Sequence, residues 1–189
     1  NRISFGVESF NKKNLSLLER DSSYDKVVEL IKLCRKYGIN NINIDLMYAL
    51  PDEDIDVLRK DLEMILSLDV EHISTYSLII EDHTKLSIKG IKNISEDLDS
   101  EMYDVICNEM KKSGYSHYEI SNFCKEGYES RHNLCYWNNN HYYGFGLGAS
   151  GYIDNRRYSN TRSLNEYIDG MVILEEDYLT DDEVMEYEV

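Results

Sequence analysis

The sequence predicts an α/β fold made of βα units around a parallel sheet or part of a barrel, followed by a stretch of different texture. Three observations carry this. Strand-like runs begin near residues 3, 42 and 72, and a helical pattern follows each of them. The apolar run Ile42-Asn43-Ile44-Asp45-Leu46-Met47-Tyr48 continues through Ala49-Leu50 to Pro51, the single proline of the chain. Beyond Tyr115 the helical stripes give way to aromatics, amides and glycines. Three units cannot close a barrel, so they form half of one, or one side of a doubly wound sheet.

Each element has its own reason. Ile3 to Glu8 reads as a strand, and Asn11 to Asp21 as a polar loop with a helical piece around Leu15, Leu17 and Leu18. Ser22 with Asp25 resembles a capping box. Val27, Leu30, Ile31 and Cys34 then fall at helical spacing, and Gly38 supplies the stop. The second strand runs from Ile42 to Tyr48. Asp52, Glu53 and Asp54 suit the start of a helix striped by Ile55, Leu58, Leu62 and Ile65. His72 to Ile80 is a third strand and Lys85 to Asn93 a loop. A third helix carries Leu98, Met102, Val105, Ile106 and Met110, and Gly114 ends it. Tyr118, Ile120 and Phe123 alternate like a strand, and a short helix is expected from Ser163 to Asp169.

The chain has 189 residues, and its apolar and charged fractions, 42% and 30%, are those of a globular protein. No stretch approaches the ~20 apolar residues of a membrane-spanning helix. Net charge is −16, and residues 175 to 189 hold eight acids and no base. Such a surface repels nucleic acid and anionic membranes. Cys34 and Cys107 lie on apolar helix faces, no disulfide framework is implied, and a reducing cytoplasm is the expected compartment. The missing methionine at the start, and an end at Glu186-Tyr187-Glu188-Val189 inside a helical pattern, point to a fragment of a longer protein.

Candidate site residues follow from position. Asp45 is a carboxylate inside a run that reads as a buried parallel strand, so it needs a partner, and a ligand or the following loop could supply one. Glu8 ends the first strand, and two acids at neighbouring strand ends would face one mouth. Arg20 is a third member of that mouth, unless it pairs with Glu19 or Asp21 on the surface. Gly144, Gly146 and Gly148 do not have dinucleotide-loop spacing, and a glycine-rich strand that admits close backbone approach fits them better. His117, Cys124, His132, Cys135 and His141 crowd together in sequence. Their spacing matches no standard zinc pattern, so a packed, hydrogen-bonded cluster is preferred to a metal site.

Several of these stretches together resemble the radical S-adenosylmethionine (SAM) family of oxygen-independent coproporphyrinogen III oxidases. They are Gly6-Val7-Glu8-Ser9-Phe10, Glu19-Arg20, Asn43 to Pro51, His72-Ile73-Ser74-Thr75-Tyr76-Ser77-Leu78 and Gly144-Phe145-Gly146-Leu147-Gly148-Ala149. His117-Tyr118-Glu119-Ile120-Ser121-Asn122-Phe123 and His132-Asn133-Leu134-Cys135-Tyr136-Trp137 look like the haem chaperone branch of that family. The resemblance implies a partial (β/α)6 barrel, of which this chain would hold the C-terminal half followed by an α+β family-specific region. Residues 1–90 would be the later βα units, 91–170 the family-specific region, and 171–189 the start of a helical C-terminal domain.

The resemblance also implies cofactors and roles. A [4Fe-4S] cluster would be held by a Cys-x3-Cys-x2-Cys loop that this chain lacks. SAM would meet Glu8 where the family usually has glutamine, Arg20 at its methionyl carboxylate, Asp45 at its ribose hydroxyls, and Ile79 and Ser150 as lining. Ala49 stands where a glycine is usual. Haem is the expected cargo, with His132 as the preferred axial ligand, Cys135 as another, and Tyr136, Trp137, Tyr142 and Phe145 as walls. The reading is a haem chaperone fragment that passes haem to an acceptor protein. The oxidase itself, acting on a porphyrinogen, is one alternative, and a non-catalytic (β/α) ligand-binding module is another.

Overall fold

A computed structural model of the chain describes residues 1–186, so the end of the predicted terminal helical pattern, residues 187–189, lies outside it. The described residues form two compact units, 1–129 and 130–186.

The first unit is a five-stranded sheet in the order β1-β2-β3-β5-β4. β1 (Ile3–Glu8), β2 (Ile42–Tyr48) and β3 (His72–Ser77) run parallel. Their connections carry α1 (Lys12–Leu17), α2 (Tyr24–Lys36) and α3 (Ile55–Ser67). After β3 come α4 (Lys85–Ile88) and α5 (Glu96–Lys112), then the hairpin β4 (Ser116–Glu119) and β5 (Asn122–Cys124), whose second strand returns antiparallel to β3.

The alternation along β2 builds the core. Ile42, Ile44 and Leu46 are fully buried in one cluster with Leu58, Leu62 and Ile65 of α3 and Met102, Ile106 and Met110 of α5. Each such side chain contributes roughly 1.5–3 kcal/mol of burial. The positions between them, Asn43 and Asp45, belong to the opposite face. Partners in register share a face, so Asn43 lies beside His72, and Gly6, Asp45, Ser74 and Asn122 form one row across four strands.

Several expectations change in detail. Ser23, not Ser22, is the N-cap of α2, and it makes no side-chain capping bond. β3 stops at Ser77 rather than Ile80, and the predicted loop after it contains α4. Tyr118, Ile120 and Phe123 are not one strand. A bulge between His117 and Glu119 and a turn at Ile120 fold them into a hairpin, which leaves Ile120 exposed.

The second unit holds α6 (Arg131–Trp137), β6 (Ser150–Ile153), β7 (Arg156–Asn160), α7 (Leu164–Ile168), β8 (Ile173–Tyr178) and α8 (Asp181–Glu186). β6, β7 and β8 make an antiparallel sheet in that order. The glycine-rich run is a loop rather than a strand, because Gly146 and Gly148 take positive φ. The expected close approach is real: a β-carbon on Gly144 would collide with the Ser150 backbone. Buried Asn160 donates to the carbonyls of Gly144 (3.2 Å) and Gly146 (2.8 Å) and holds the loop.

Candidate functional site

The exposed end of the parallel sheet is shaped by three unusual backbone positions. At the end of β1 the register slips between Gly6 and Glu8, and Glu8 takes φ +66°. Its side chain folds back over Gly6, where a β-carbon would stand 2.9 Å from Oε1. Gly6 pairs with Asp45, so the Glu8 carboxylate lies on the Asp45 face. After α1, Glu19 takes the left-handed position that closes a helix, with Arg20 N–H donating to Leu15 O at 2.9 Å. That turn directs Arg20 back to β1, with Nη2 3.7 Å from Glu8 Oε1. Ala49 at φ +60° makes the turn after β2 in the conformation that glycine adopts most freely.

Glu8, Arg20 and Asp45 therefore come together. Arg20 does not pair with its chain neighbours: Glu19 pairs with Lys85 and Lys89, and Asp21 with Lys26. Burial raises the Glu8 carboxyl above its ordinary value, Arg20 opposes this, and Asp45 adds to it. One detail differs from expectation: Asp45 is the fourth residue of β2, three before its end.

Asp45 has a built support. Asn43 Nδ2 donates to Asp45 Oδ1 at 2.7 Å. The Asn43 carbonyl oxygen then faces Ser74 Oγ at 3.1 Å and His72 Nδ1 at 2.7 Å, and both must donate to it. His72 is accordingly protonated on Nδ1, so its Nε2 accepts from the Tyr118 O–H at 2.7 Å. Burial, helped by the charge of Arg2, pushes the His72 pKa down to about 4, which keeps the ring neutral. Asn43, His72 and Ser74 are all buried.

The flanking loops are braced by buried acids. Glu53 accepts from Leu50 N–H and from Asn14 Nδ2, each at 3.0 Å. Asp61 accepts from the Ser9 hydroxyl and from Phe10 N–H. Glu53 thus turns into the fold, and Asp54 alone caps α3. Burial raises Glu53 to about 7, against the hydrogen bonds it accepts. Beyond these loops lies a cavity of ≈ 850 Å³, lined among others by Lys13, Leu17, Pro51, Lys89 and Ile94. Ile79 stands 73% exposed beyond β3.

In the second unit, Ser130 caps α6 and sets His132 and Tyr136 one turn apart. Their rings meet edge to face at 5.0 Å, with Tyr136 OH 3.4 Å from His132 Nε2. Tyr136 also meets Tyr142, at 4.6 Å between centroids. Trp137 is half exposed. Tyr136, Tyr142, Ser150, Tyr152 and Tyr158 line a cavity of ≈ 620 Å³. Tyr136 and Ser150, expected at different ligands, thus share one cavity, which Trp137 and His132 do not line. The Cys135 thiol sits 3.7 Å from His141 O, within donor range of a carbonyl.

The residues fit the two organic groups differently from the cluster. An Asp45 carboxylate with one oxygen held by an amide keeps acceptor capacity for vicinal hydroxyls, and the guanidinium of Arg20 keeps donors for a carboxylate. The cysteines do not fit a cluster. Cys34 and Cys124 are buried apart from one another in α2 and β5, and no group of three metal-ligating side chains occurs among the described residues.

Asn43, His72 and Ser74 were not among the sequence candidates. The signal for them is polar residues at a spacing of two, inside runs that read as buried.

The radical SAM superfamily model matches residues 1–65. The chain is 41% identical over 172 residues to the "Heme chaperone HemW" of Lactococcus lactis and 41% identical over 173 residues to that of Bacillus subtilis. Those matches take in 89% of this chain, and 45% and 46% of the relatives. The coproporphyrinogen III oxidase HemN from Escherichia coli, a radical SAM enzyme, superposes on the whole chain with TM-score 0.83 at 19% identity. This chain covers 48% of that structure, so it spans about half the length of the proteins it matches. At that identity the HemN likeness is one of fold.

Proposed function

We propose, for a chain of the radical SAM superfamily whose relatives are haem chaperones, that it is part of a protein that binds haem and delivers it to an acceptor protein. The observation that carries this reading is the identity to haem chaperones along nearly all of the chain. The oxidase alternative rests on fold alone. A ligand-binding module without catalysis stays compatible with a chain that has no cysteine triplet of its own.

In this reading residues 1–90 are barrel βα units and 91–170 a family-specific region, while 171–189, expected as the start of a helical domain, contains β8, which pairs with β7 in the second unit's sheet. Asp45 accepts the ribose hydroxyls of SAM, Arg20 takes its carboxylate, and Glu8 holds Arg20 in place. Ile79 lines the same ligand. SAM, when bound beside a cluster held by residues outside this chain, would supply radical chemistry. Haem meets His132, with Tyr136 and Trp137 as walls. Four unpaired cysteines support a reducing cytoplasm. No helix among the described residues is long and apolar enough to cross a membrane.

The test is a haem titration of the chain followed by absorbance, then mixing with an apo-haem protein. Stoichiometric binding with a shifted Soret band and onward transfer supports the reading. Binding of coproporphyrinogen in preference to haem would favour the oxidase.

A further inference from the structure

The hydrogen bonds behind Asp45 run in one direction, and the direction is determined by groups that have no choice. A carboxylate only accepts, so Asn43 must turn its NH2 toward Asp45. The Asn43 carbonyl must then be matched by donors, and it meets the Ser74 hydroxyl and His72 Nδ1. Tyr118 O–H completes the line at His72 Nε2. The reversed amide would set its carbonyl oxygen against the Asp45 carboxylate, and would set its NH2 against the Nδ1–H of a neutral imidazole. All the bonds in this line from Tyr118 to Asp45 are 2.7 Å, and Asn43 and His72 are buried. The side chains stand on β2, β3 and β4, so their spacing is set by the sheet rather than by a loop.

We propose that Tyr118, His72 and Asn43 are positioning residues that hold the Asp45 carboxylate in one orientation, with its free oxygen presented to the vicinal hydroxyls of a ribosyl ligand. This rests on the reading of Asp45 as the ribose contact. The chain fixes which oxygen is occupied and keeps the carboxylate from rotating, so ligand binding does not have to order it. Ser74, level with Asp45 on the next strand, secures the Asn43 amide a second time.

Two substitutions at one position separate positioning from packing. His72→Asn keeps a donor where Nδ1 stands and loses Nε2. His72→Gln keeps a group near Nε2 and loses the Nδ1 donor. Binding of SAM to the chain, measured by calorimetry, is expected to weaken about tenfold in His72→Gln and in Asn43→Leu, and by less than about threefold in His72→Asn. The same losses are expected with 5′-deoxyadenosine. They should shrink to nothing with 2′,5′-dideoxyadenosine, which lacks one hydroxyl of the pair. Long-range nitrogen NMR of the unliganded chain should find the His72 proton on Nδ1 at neutral pH. An Nε2–H tautomer, or equal binding by the Gln and Asn variants, overturns the proposal. Unchanged SAM affinity in Asp45→Asn, or none in the unaltered chain, overturns the ribose reading and the ligand role built on it. The NMR result then still stands as a separate measure of the hydrogen-bond chain.

Discussion

Glu8 leans over Gly6 so closely that a β-carbon on Gly6 would stand 2.9 Å from its Oε1. The near atom is the far end of a flexible side chain, so Gly6→Ala can be accommodated by moving the carboxylate. Stability should change by less than about 1 kcal/mol, read from the urea midpoint. The Glu8–Arg20 pair should be lost, read as a shifted Arg20 side-chain resonance. Gly151→Ala is the contrasting variant. Its β-carbon would strike the Tyr158 ring, and a cost of roughly 1–3 kcal/mol is expected. A larger loss at Gly6 than at Gly151 would show that the Glu8 conformation is misassigned.

Much of this site was legible before any coordinates. Glu8, Arg20 and Asp45 could be grouped because strand ends in a parallel α/β sheet share a mouth, and because α3 and α5 have clean apolar stripes that place those ends. The backbone that brings them together was not legible. Glu8, Glu19 and Ala49 all take positive φ, and none of them is a glycine that would announce it. The hairpin and the second sheet were missed for another reason. β8 is exposed at every position, Ile173-Leu174 is followed by Glu175-Glu176-Asp177, and no alternation marks it. The line from His72 to Asp45 joins residues on different strands, which a local pattern does not connect.

Stability should depend on pH through Glu53. Burial raises its carboxyl from the ordinary 4.5 to about 7 in the folded chain. Between those values the native state keeps a proton that the unfolded chain has released, so stability falls as pH rises from about 4.5 to about 7. Glu53→Gln removes this titration and should flatten the profile over that window, measured by urea unfolding at successive pH values. A profile that rises with pH through the same window, and loses the rise in Glu53→Gln, would mean that the donors Leu50 N–H and Asn14 Nδ2 outweigh burial.

Asn160 holds two carbonyls of the glycine loop from a buried position. Asn160→Ala should cost about 1–3 kcal/mol, because both carbonyls lose their donor. Amide exchange at Gly144 and Gly146 should speed up, since their N–H groups reach Tyr158 OH and Tyr167 OH only while the loop keeps its shape. Unchanged exchange would show that the tyrosines alone secure the loop.

The scattered cysteines lead to a negative expectation that can be measured. A [4Fe-4S] cluster needs thiolates set close together, and these lie on α2, α5, β5 and α6. Anaerobic reconstitution of this chain should give no stoichiometric iron–sulfur absorbance and no deoxyadenosine from SAM. Stoichiometric iron on the chain would refute this.

If the chain takes haem as proposed, His132 and Cys135 on α6 are the two ligands to be separated. His132 is exposed on α6 and, among the described residues, its ring meets Tyr136, with Nε2 3.4 Å from the tyrosine hydroxyl, which is a weak contact. An imidazole held this loosely gives up little when iron takes its nitrogen. The Cys135 thiol faces backbone carbonyls instead, so binding through sulfur would break contacts with Asn140 O and His141 O. His132→Ala should therefore lower haem affinity about tenfold or more and move the Soret band, while Cys135→Ser should leave both within about twofold. Trp137→Ala tests the wall separately. It should weaken binding without changing the iron spectrum, because an aromatic wall contributes contact area and not ligation. A His132→Ala chain that keeps its fold, its haem affinity and its spectrum would remove His132 from the ligand set.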